Sequence, residues 1–206
     1  MYEEITHPCV QHKLALIRDI KTGHKEFREL ATEITMFICY EALKNISVKE
    51  VDVETPVGTA KCHKINEDIV VIPILRAGIG MLDGILSLIP SSRVGFVGLY
   101  RDEVTKEPVT YYERLPPQVE GGVCIVIDPM LATGGSTVAA IDLLKAQGAQ
   151  QIVVVCIVTC PEGIQRVENA HPDVRIYAAS IDSGLDEKKY IVPGLGDAGD
   201  RLFGTS

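Results

Sequence analysis

Val123-Cys-Ile-Val-Ile-Asp-Pro-Met-Leu-Ala-Thr-Gly-Gly-Ser-Thr137 is the stretch that best indicates how this chain folds. It continues into the amphipathic segment 138–146. Its opening apolar residues predict a buried strand that ends in an acid, Asp128. A loop of small residues with two glycines then enters a helix, whose first-turn N–H groups are unpaired and favour an anion. The order therefore predicts a phosphate cradle from Thr133 to Thr137, with Asp128 beside it for the hydroxyl groups of a ribose phosphate.

Other glycine-rich motifs explain this segment less well. No lysine follows the glycines, which disfavours a P-loop nucleotide hydrolase, and the dinucleotide-binding pattern G-x-G-x-x-G is absent. A tight turn at Gly134-Gly135, with Asp128 as a cap, is the alternative interpretation. An isolated glycine pair would favour that alternative, but the complete order of strand, acid, glycine loop and helix favours the cradle.

Short apolar runs on either side of this segment predict the rest of a parallel sheet. The runs lie at 69–75, 94–100, 123–127, 152–158 and 174–179, and helical segments lie at 77–89, 135–147 and 161–170. Uninterrupted runs of Val and Ile are typical of strands that are covered on both faces. The alternation of strands and helices predicts an α/β fold with a doubly wound, mainly parallel sheet flanked by helices.

The chain is expected to form one domain over residues 1–206, in three parts. Residues 1–65 hold N-terminal helices, one of them capped at Thr22, and a hairpin. Residues 66–183 form the sheet core, and residues 184–206 form a separate tail.

Two segments do not fit as scaffold. Residues 101–117 are charged, carry three prolines and two tyrosines, and are too long for an ordinary connection. They predict a flap over the ligand, with a solvated arm or an oligomer contact as the alternative. The tail after Tyr190 is rich in Gly and Asp and is expected to be too irregular for a helix or a paired strand.

Composition excludes several classes of protein. A net charge of −8 argues against binding nucleic acid through a broad basic surface. No apolar stretch approaches the roughly 20 residues that span a bilayer, and no signal peptide opens the chain, so we expect no membrane association. The six cysteines form no C-x-x-C pair and are expected to be buried thiols in a reducing, cytoplasmic compartment.

The segment Asp128-Pro-Met-Leu-Ala-Thr-Gly-Gly-Ser136 resembles the signature of type I phosphoribosyltransferases, which bind phosphoribosyl diphosphate (PRPP). Further segments, nearly from end to end, resemble the uracil phosphoribosyltransferases within that superfamily. They are Thr6-His-Pro-Cys-Val-Gln-His-Lys-Leu14, Pro73-Ile-Leu-Arg-Ala-Gly78, Tyr100-Arg-Asp-Glu103 and Gly194-Leu-Gly-Asp-Ala-Gly-Asp-Arg-Leu-Phe-Gly204. Many superfamily members have two adjacent acids where this chain has Asp128 and Pro129, so a single acid is left for the ribose hydroxyls.

The resemblance implies that Asp128, Arg76 and Arg101 act in catalysis and contact PRPP. Each arginine ends a predicted strand, where a guanidinium fork suits a diphosphate, although exposed arginines at such places also occur without a ligand. The other PRPP-binding residues that the resemblance implies are Pro129, Met130, Leu131, Ala132, Thr133, Gly134, Gly135, Ser136 and Asp197.

In the tail, the resemblance implies that Ile191, Gly196, Asp197 and Ala198 bind uracil, mainly through backbone groups. A fixed set of N–H and C=O groups complements the uracil edge and leaves buried groups unpaired against cytosine. A glycine-rich coil without a role is the alternative for this segment.

The implied reaction joins uracil to PRPP and releases UMP and diphosphate. Mg²⁺ is the expected cofactor, held mainly by PRPP and water near Asp128 or Asp197, with no certain protein ligand. A homodimer or higher homo-oligomer is expected, and GTP activation, known in some relatives, is left open. The alternatives are a phosphoribosyltransferase for another base and a regulatory protein that binds PRPP without catalysis.

Overall fold

A sheet of Val- and Ile-rich strands forms the centre of the fold. The computed structural model describes residues 1–101 and 108–205, with the backbone alone at Arg101 and Pro108. The strands are β1 Tyr2–Glu4, β2 Val48–Glu54, β3 Thr59–Ile65, β4 Ile69–Leu75, β5 Arg93–Val94, β6 Phe96–Arg101, β7 Pro108–Arg114, β8 Val123–Ile127, β9 Met130–Leu131, β10 Gln151–Thr159, β11 Arg175–Ile181, β12 Gly184–Leu185 and β13 Ile191–Val192. The helices are α1 Pro8–Arg18, α2 His24–Ala42, α3 Ile79–Leu88, α4 Gly135–Ala146, α5 Pro161–Ala170 and α6 Ala198–Phe203, with a 3-10 turn at Pro117–Val119.

The order of the strands confirms the predicted fold class. Within the described residues the main sheet runs β1-β11-β10-β8-β4-β6-β7, with β5 beside β4 and β9 beside β10. Its pairs are parallel except for β6 with β7. Since parallel neighbours need crossover connections, helices cover both faces of the sheet. The strands carrying the sequence motifs, β4, β8 and β10, are therefore central and end at the same edge.

Alternate residues of each central strand enter different cores. In β8, Val123, Ile125 and Ile127 face a core that α1, α2, α3 and α6 cover. Cys124 and Val126 face the opposite core, under α4 and α5. Burial on both faces explains why these strands appear in the sequence as uninterrupted apolar runs.

Two boundaries in the first half of the chain differ from the prediction. The cap predicted at Thr22 is wrong: α2 begins at His24 after Gly23, and the Thr22 hydroxyl donates to the carbonyl of Leu16 at 2.6 Å. The predicted strand 94–100 is divided between β5 and β6 at Gly95, whose N–H donates to Val71.

The N-terminal segment also contains a strand that the helical pattern did not indicate. β1 pairs in parallel with β11 at the edge of the sheet. Its three residues, Tyr-Glu-Glu, show no apolar alternation, so their pairing depends on the strand beside them. The hairpin predicted in this part of the chain is confirmed, because β2 and β3 pair antiparallel from Val48 with Ile65 to Glu54 with Thr59.

The flap predicted at 101–117 is only partly described. β7 forms its second half and pairs antiparallel with β6, whereas residues 102–107 lie outside the described residues. No helix in the described part of the chain is both long and apolar enough to cross a membrane.

The expectation that the tail is irregular is wrong. β13 pairs antiparallel with β12, and the helix α6 follows. α6 forms because the Asp197 carboxylate accepts the N–H of Asp200 at 3.0 Å, and because Ala198 and Leu202 are buried against the core. Gly and Asp are therefore helix-capping residues here rather than evidence of a coil.

Candidate functional site

Asp128 lies directly beyond the carboxyl end of β8, where the sequence places it. Its Oδ1 accepts the N–H of Met130 at 3.2 Å, and the side chain is half-buried. Burial raises the pKa of this carboxyl from 3.8 to about 7, although the hydrogen bond from Met130 opposes the shift. An acid with this pKa can accept or release a proton near neutral pH. A cation placed beside it would stabilise its charged form.

The glycine loop after Asp128 enters α4 with its amides free for a ligand. Gly134 precedes the helix with a φ of +76°, a conformation that favours glycine. A Cβ at Gly135 would meet little except the Thr133 hydroxyl at 4.0 Å, so the space over the loop is open. The first-turn N–H groups of Gly135, Ser136 and Thr137 have no intrahelical acceptor, which makes this end of α4 suited to a phosphate.

Residues at the end of β10 and the start of α5 contact the carbonyl groups of the loop. The Thr159 hydroxyl donates to the carbonyl of Leu131 at 3.0 Å, and the Cys160 thiol donates to that of Ala132 at 3.4 Å. A Cβ at Gly163 would lie 2.5 Å from both carbonyls. These contacts turn the loop carbonyls towards β10 and α5. No motif in the sequence indicates these three residues, and the only signal for them is that β10 is predicted to lie in the same parallel sheet as β8.

Arg76 follows β4 directly, through a cis Leu75–Arg76 peptide. A Cβ at Gly78 would lie 2.5 Å from the carbonyl of Ile127, so the turn after Arg76 lies against the end of β8, next to Asp128. The Arg76 side chain is 62% exposed, and its Nη2 is 3.9 Å from Asp200 Oδ1. The guanidinium is thus placed at the site and keeps most of its donors available.

Arg101 is the last residue of β6, and β6 pairs with β4 through Val97 and Gly98. Its backbone therefore continues along the strand that adjoins the Arg76 strand. The Arg101 side chain lies outside the described residues, so its predicted contact with PRPP stays a prediction.

The tail meets this site through α6. A Cβ at Gly199 would lie 3.2 Å from Asp197 Oδ1 and 4.0 Å from Arg76 Nη2. Ile191 and Ala198 are buried, whereas Gly196 and Asp197 are exposed. Gly196 has a φ of +72°. The structure thus brings α6 of the tail to Arg76, and Gly196 is exposed beside it in the sequence of the tail.

The described residues provide no group of three or more His, Cys, Asp or Glu side chains that could hold a metal ion. Asp128 lies after β8, and Asp197 lies before α6, the helix that adjoins Arg76. Lone carboxylates fit Mg²⁺, which commonly keeps several waters and takes most of its other ligands from substrate phosphates.

Comparisons with known proteins agree along the whole chain. The family model described as Uracil phosphoribosyltransferase matches residues 4–205. A uracil phosphoribosyltransferase of Dictyoglomus thermophilum is 56% identical over 202 residues, covering 98% of both chains. That of Alkaliphilus oremlandii is 57% identical over 202 residues, covering 98% of this chain and 97% of the relative.

Solved structures share the fold. The AQ2163 protein from Aquifex aeolicus superposes with a TM-score of 0.95 at 39% identity, covering 100% of this chain and 99% of that one. A hypoxanthine phosphoribosyltransferase from Staphylococcus aureus reaches a TM-score of 0.50 at 14% identity, over 78% of this chain and 76% of its own. The second comparison shows a shared phosphoribosyltransferase fold and no more.

Proposed function

The chain belongs to the uracil phosphoribosyltransferase family, and we propose which of its residues bind each part of the two substrates. The enzyme transfers the phosphoribosyl group of PRPP to uracil and forms UMP and diphosphate. The observation that carries the proposed assignment is the open loop after β8, with Asp128 and Arg76 at the same sheet edge.

The loop and the start of α4 bind the ribose phosphate in this proposal. The amides of Gly135, Ser136 and Thr137 donate to the 5′-phosphate, with Thr133 and Ser136 adding hydroxyl donors. Residues 129–132 shape the floor of the site, since their carbonyls are turned towards β10 and α5. Asp128 accepts hydrogen bonds from the ribose hydroxyls.

Arg76 and Arg101 bind the diphosphate that leaves. A guanidinium donates two parallel hydrogen bonds to phosphate oxygens, and the exposure of Arg76 leaves its donors free to do so. Because negative charge grows on the diphosphate as the bond to C1′ breaks, these contacts strengthen towards the transition state.

Backbone groups at Ile191, Gly196 and Ala198 bind the uracil edge, and Asp197 faces PRPP. The short paired strand β13 and the capped helix α6 hold these groups in one geometry. Fixed donors and acceptors align N1 of uracil with C1′ and reject bases with a different pattern.

The reaction then needs positioning and charge stabilisation, with no protein nucleophile. N1 of uracil gives up its proton, which leaves with the released diphosphate, and bonds to C1′ as the bond from C1′ to the diphosphate oxygen breaks, through an oxocarbenium-like transition state. The flap at 101–117 excludes water in this proposal, because hydrolysis competes with transfer.

Mg²⁺ is the proposed cofactor, with Asp128 or Asp197 beside it, directly or through water. When bound, the ion would neutralise negative charge on the leaving diphosphate, and Asp128 or Asp197 would hold it. The half-buried Asp128 and the exposed Asp197 would each supply one carboxylate, and PRPP would supply most of the other ligands.

We propose further that the enzyme is a homodimer or higher homo-oligomer. An apolar groove on α2 and α3 supports this, since Met36, Phe37 and Tyr40 of α2 and Leu88 of α3 line it at the surface. Sedimentation equilibrium of the wild type and of Tyr40→Glu tests the proposal. A monomeric wild type would contradict it.

A cytoplasmic location is proposed from the six free cysteines, four of which are buried. The expectation that all six are buried is wrong for Cys9, which is exposed, and for Cys62, which is half-buried. Imaging of a fluorescent fusion tests that location. GTP as an effector stays a prediction of the family resemblance. UMP formation measured with and without GTP, at fixed PRPP and uracil, tests it.

Turnover of labelled uracil with PRPP and Mg²⁺ tests the proposed function. We expect UMP and diphosphate in equal amounts, and cytosine should react slower by about 10⁴-fold or more. A protein that binds PRPP without forming UMP would be the regulatory alternative. Comparable turnover of cytosine would contradict the proposed base site.

A further inference from the structure

A buried carboxylate outside the catalytic loop organises the start of the tail. Asp182 directly follows β11, and its side chain is 3% exposed. Its two oxygens accept hydrogen bonds from Nη2 and Nη1 of Arg18, at 2.6 and 2.8 Å. They also accept the N–H of Gly194 at 2.8 Å and the hydroxyl of Ser180 at 2.9 Å.

Arg18 completes the contact with the tail. It is the last residue of α1, and its Nη1 also donates to the carbonyl of Gly194 at 2.8 Å. The N–H of Gly194 is thus held by Asp182, and its C=O by Arg18. Gly194 has a φ of +60°, and it lies between Ile191 and Gly196, two of the residues proposed to bind uracil.

From this geometry we propose that Arg18 and Asp182 are positioning residues for uracil, which set the backbone path between Ile191 and Gly196. The inference rests on the proposed uracil site in the tail. Neither side chain needs to touch a substrate, because both act through the two peptide groups of Gly194.

The electrostatics of the pair support a rigid role. The hydrogen bonds from Arg18 and Gly194 hold the pKa of Asp182 below its ordinary value, although burial opposes them. Removal of Arg18 would leave a buried carboxylate without its counter-charge, and such groups move towards water. The Gly194 turn would then lose its support on both sides.

Two other arginines attach α6 to the rest of the protein, so loss of Arg18 should disturb only the Gly194 turn. Arg201 donates to the carbonyl of Leu195 at 3.1 Å, and Arg28 donates to that of Leu202 at 2.7 Å. These bonds do not involve Arg18, so α6 keeps its attachment when the Arg18 pair is removed. Because Arg76 and Asp197 adjoin α6 on the PRPP side, binding of PRPP should be little affected.

Steady-state kinetics of Arg18→Met and Arg18→Lys, with each substrate varied in turn, test the proposal. In Arg18→Met we expect the KM for uracil to rise by about tenfold to a hundredfold, as for lost hydrogen bonds to a charged group. The KM for PRPP should change by less than about twofold, since distant contacts are independent. Arg18→Lys keeps the positive charge but loses the planar guanidinium, so its uracil KM should lie between those of the wild type and Arg18→Met.

Lys13→Met is the matched control. Lys13 lies on the same helix, pairs with Glu33 at 2.6 Å and is 24% exposed, close to the 22% of Arg18. Its partner belongs to α2 and not to the tail, so its uracil KM should equal that of the wild type. Adding Asp182→Asn to Arg18→Met should raise the uracil KM no further, because the two residues act as one unit.

Unchanged uracil kinetics in Arg18→Met, or a parallel rise of both KM values, would overturn the proposal, since the latter indicates a general loss of structure. If Arg18→Met does not fold, an unchanged uracil KM in Arg18→Lys overturns it equally. Gly196→Val separates this failure from failure of the site itself. If Gly196→Val raises the uracil KM and Arg18→Met does not, the positioning role of Arg18 is wrong. If Gly196→Val leaves the uracil KM unchanged, the proposed uracil site in the tail is itself wrong.

Discussion

Arg76 follows a buried strand with its guanidinium mostly in solvent, near Asp200, and its Cζ lies 5.7 Å from the centre of the Phe203 ring. A charge so exposed contributes little to folding, so its place at the sheet edge points to a ligand. Asp128 is the opposite case, because burial opposes its charge until a ligand or cation is bound.

Arg76→Ala should raise the KM for PRPP by one to two orders of magnitude, because a charge-assisted contact worth about 1.5–3 kcal/mol is lost. The melting temperature should stay close to that of the wild type. Arg93→Ala is the control, since Arg93 lies beside the amino end of β4. Equal PRPP kinetics in both variants would show that Arg76 does not bind the diphosphate.

Asp128→Asn should keep the fold and lose most of its turnover, because the amide keeps the shape but cannot carry the charge. Single-turnover assays with saturating PRPP measure this directly. A fully active Asn variant would show that Asp128 has only a structural role.

The same variant should be more stable than the wild type above neutral pH. The pKa of Asp128 is raised from 3.8 to about 7, so the protonated form favours the folded state. That stabilisation is complete below about pH 4 and is lost as the pH rises through about 7. At pH 8, urea unfolding should show Asp128→Asn to be more stable by about 1–2 kcal/mol, a discounted figure for a half-buried group. Equal stability at pH 8 would contradict the raised pKa.

At the scale of the element, the tail and the start of α5 each act through backbone placement. Gly196 is in the left-handed region, and a Cβ there would have only Arg201 Cδ near it, at 3.9 Å. Gly163 is the reverse case, because two loop carbonyls occupy the space of its Cβ.

Gly196→Val should lower kcat/KM for uracil severely and leave PRPP binding intact. The damage comes from the backbone, since a β-branched residue disfavours a φ of +72°. Gly58→Val is the control, because no atom lies within 4 Å of a Cβ at Gly58, at the exposed tip of the hairpin. Loss of PRPP binding with intact uracil recognition would move the base site away from the tail.

Gly163→Ala should raise the KM for PRPP by about tenfold, because the loop carbonyls of Leu131 and Ala132 must shift and the amides shift with them. The uracil KM at saturating PRPP should be unchanged. Gly23→Ala, at a position with nothing within 4 Å of the added Cβ, is the control. PRPP kinetics equal to the control would show that α5 does not hold the loop.

At the scale of the molecule, the N-terminal helices serve both the core and the site. Phe27, Ile34 and Ile38 of α2 are fully buried against the sheet. Arg18 and Arg28, from α1 and α2, hold carbonyls of the tail. One layer of helices therefore covers a sheet face and fixes the segment proposed to bind uracil.

A chain without residues 1–46 should aggregate, because one face of the sheet loses its cover. Size-exclusion chromatography and circular dichroism measure this. The control replaces residues 48–65, the hairpin, with a short turn. Ser47 and Asn66 already meet through a 3.0 Å backbone hydrogen bond, so this chain should keep its secondary structure. A monodisperse, native-like truncated chain would contradict the role of the helices.

The central strands, the loop after β8 and the helix that follows can all be predicted from the amino-acid order. An apolar run such as Val123–Ile127 is stable only between two helical layers, and a glycine loop entering a helix exposes amides wherever it occurs. Each of these features is encoded by residues that are close together in the sequence, so each can be predicted from a short segment of it.

The folded structure was needed to find the roles of Arg18, Asp182, Thr159 and Cys160, and to find the regular structure of the tail. Arg18 and Asp182 are 164 positions apart, and Thr159 lies 28 positions from the carbonyl that it holds. Neither side of such a contact has a local pattern, because its energy arises only when the fold removes water from both partners. Capping of α6 was missed for the same reason: Asp197 and Gly196 resemble coil until Ala198 and Leu202 are buried against a core that other segments supply.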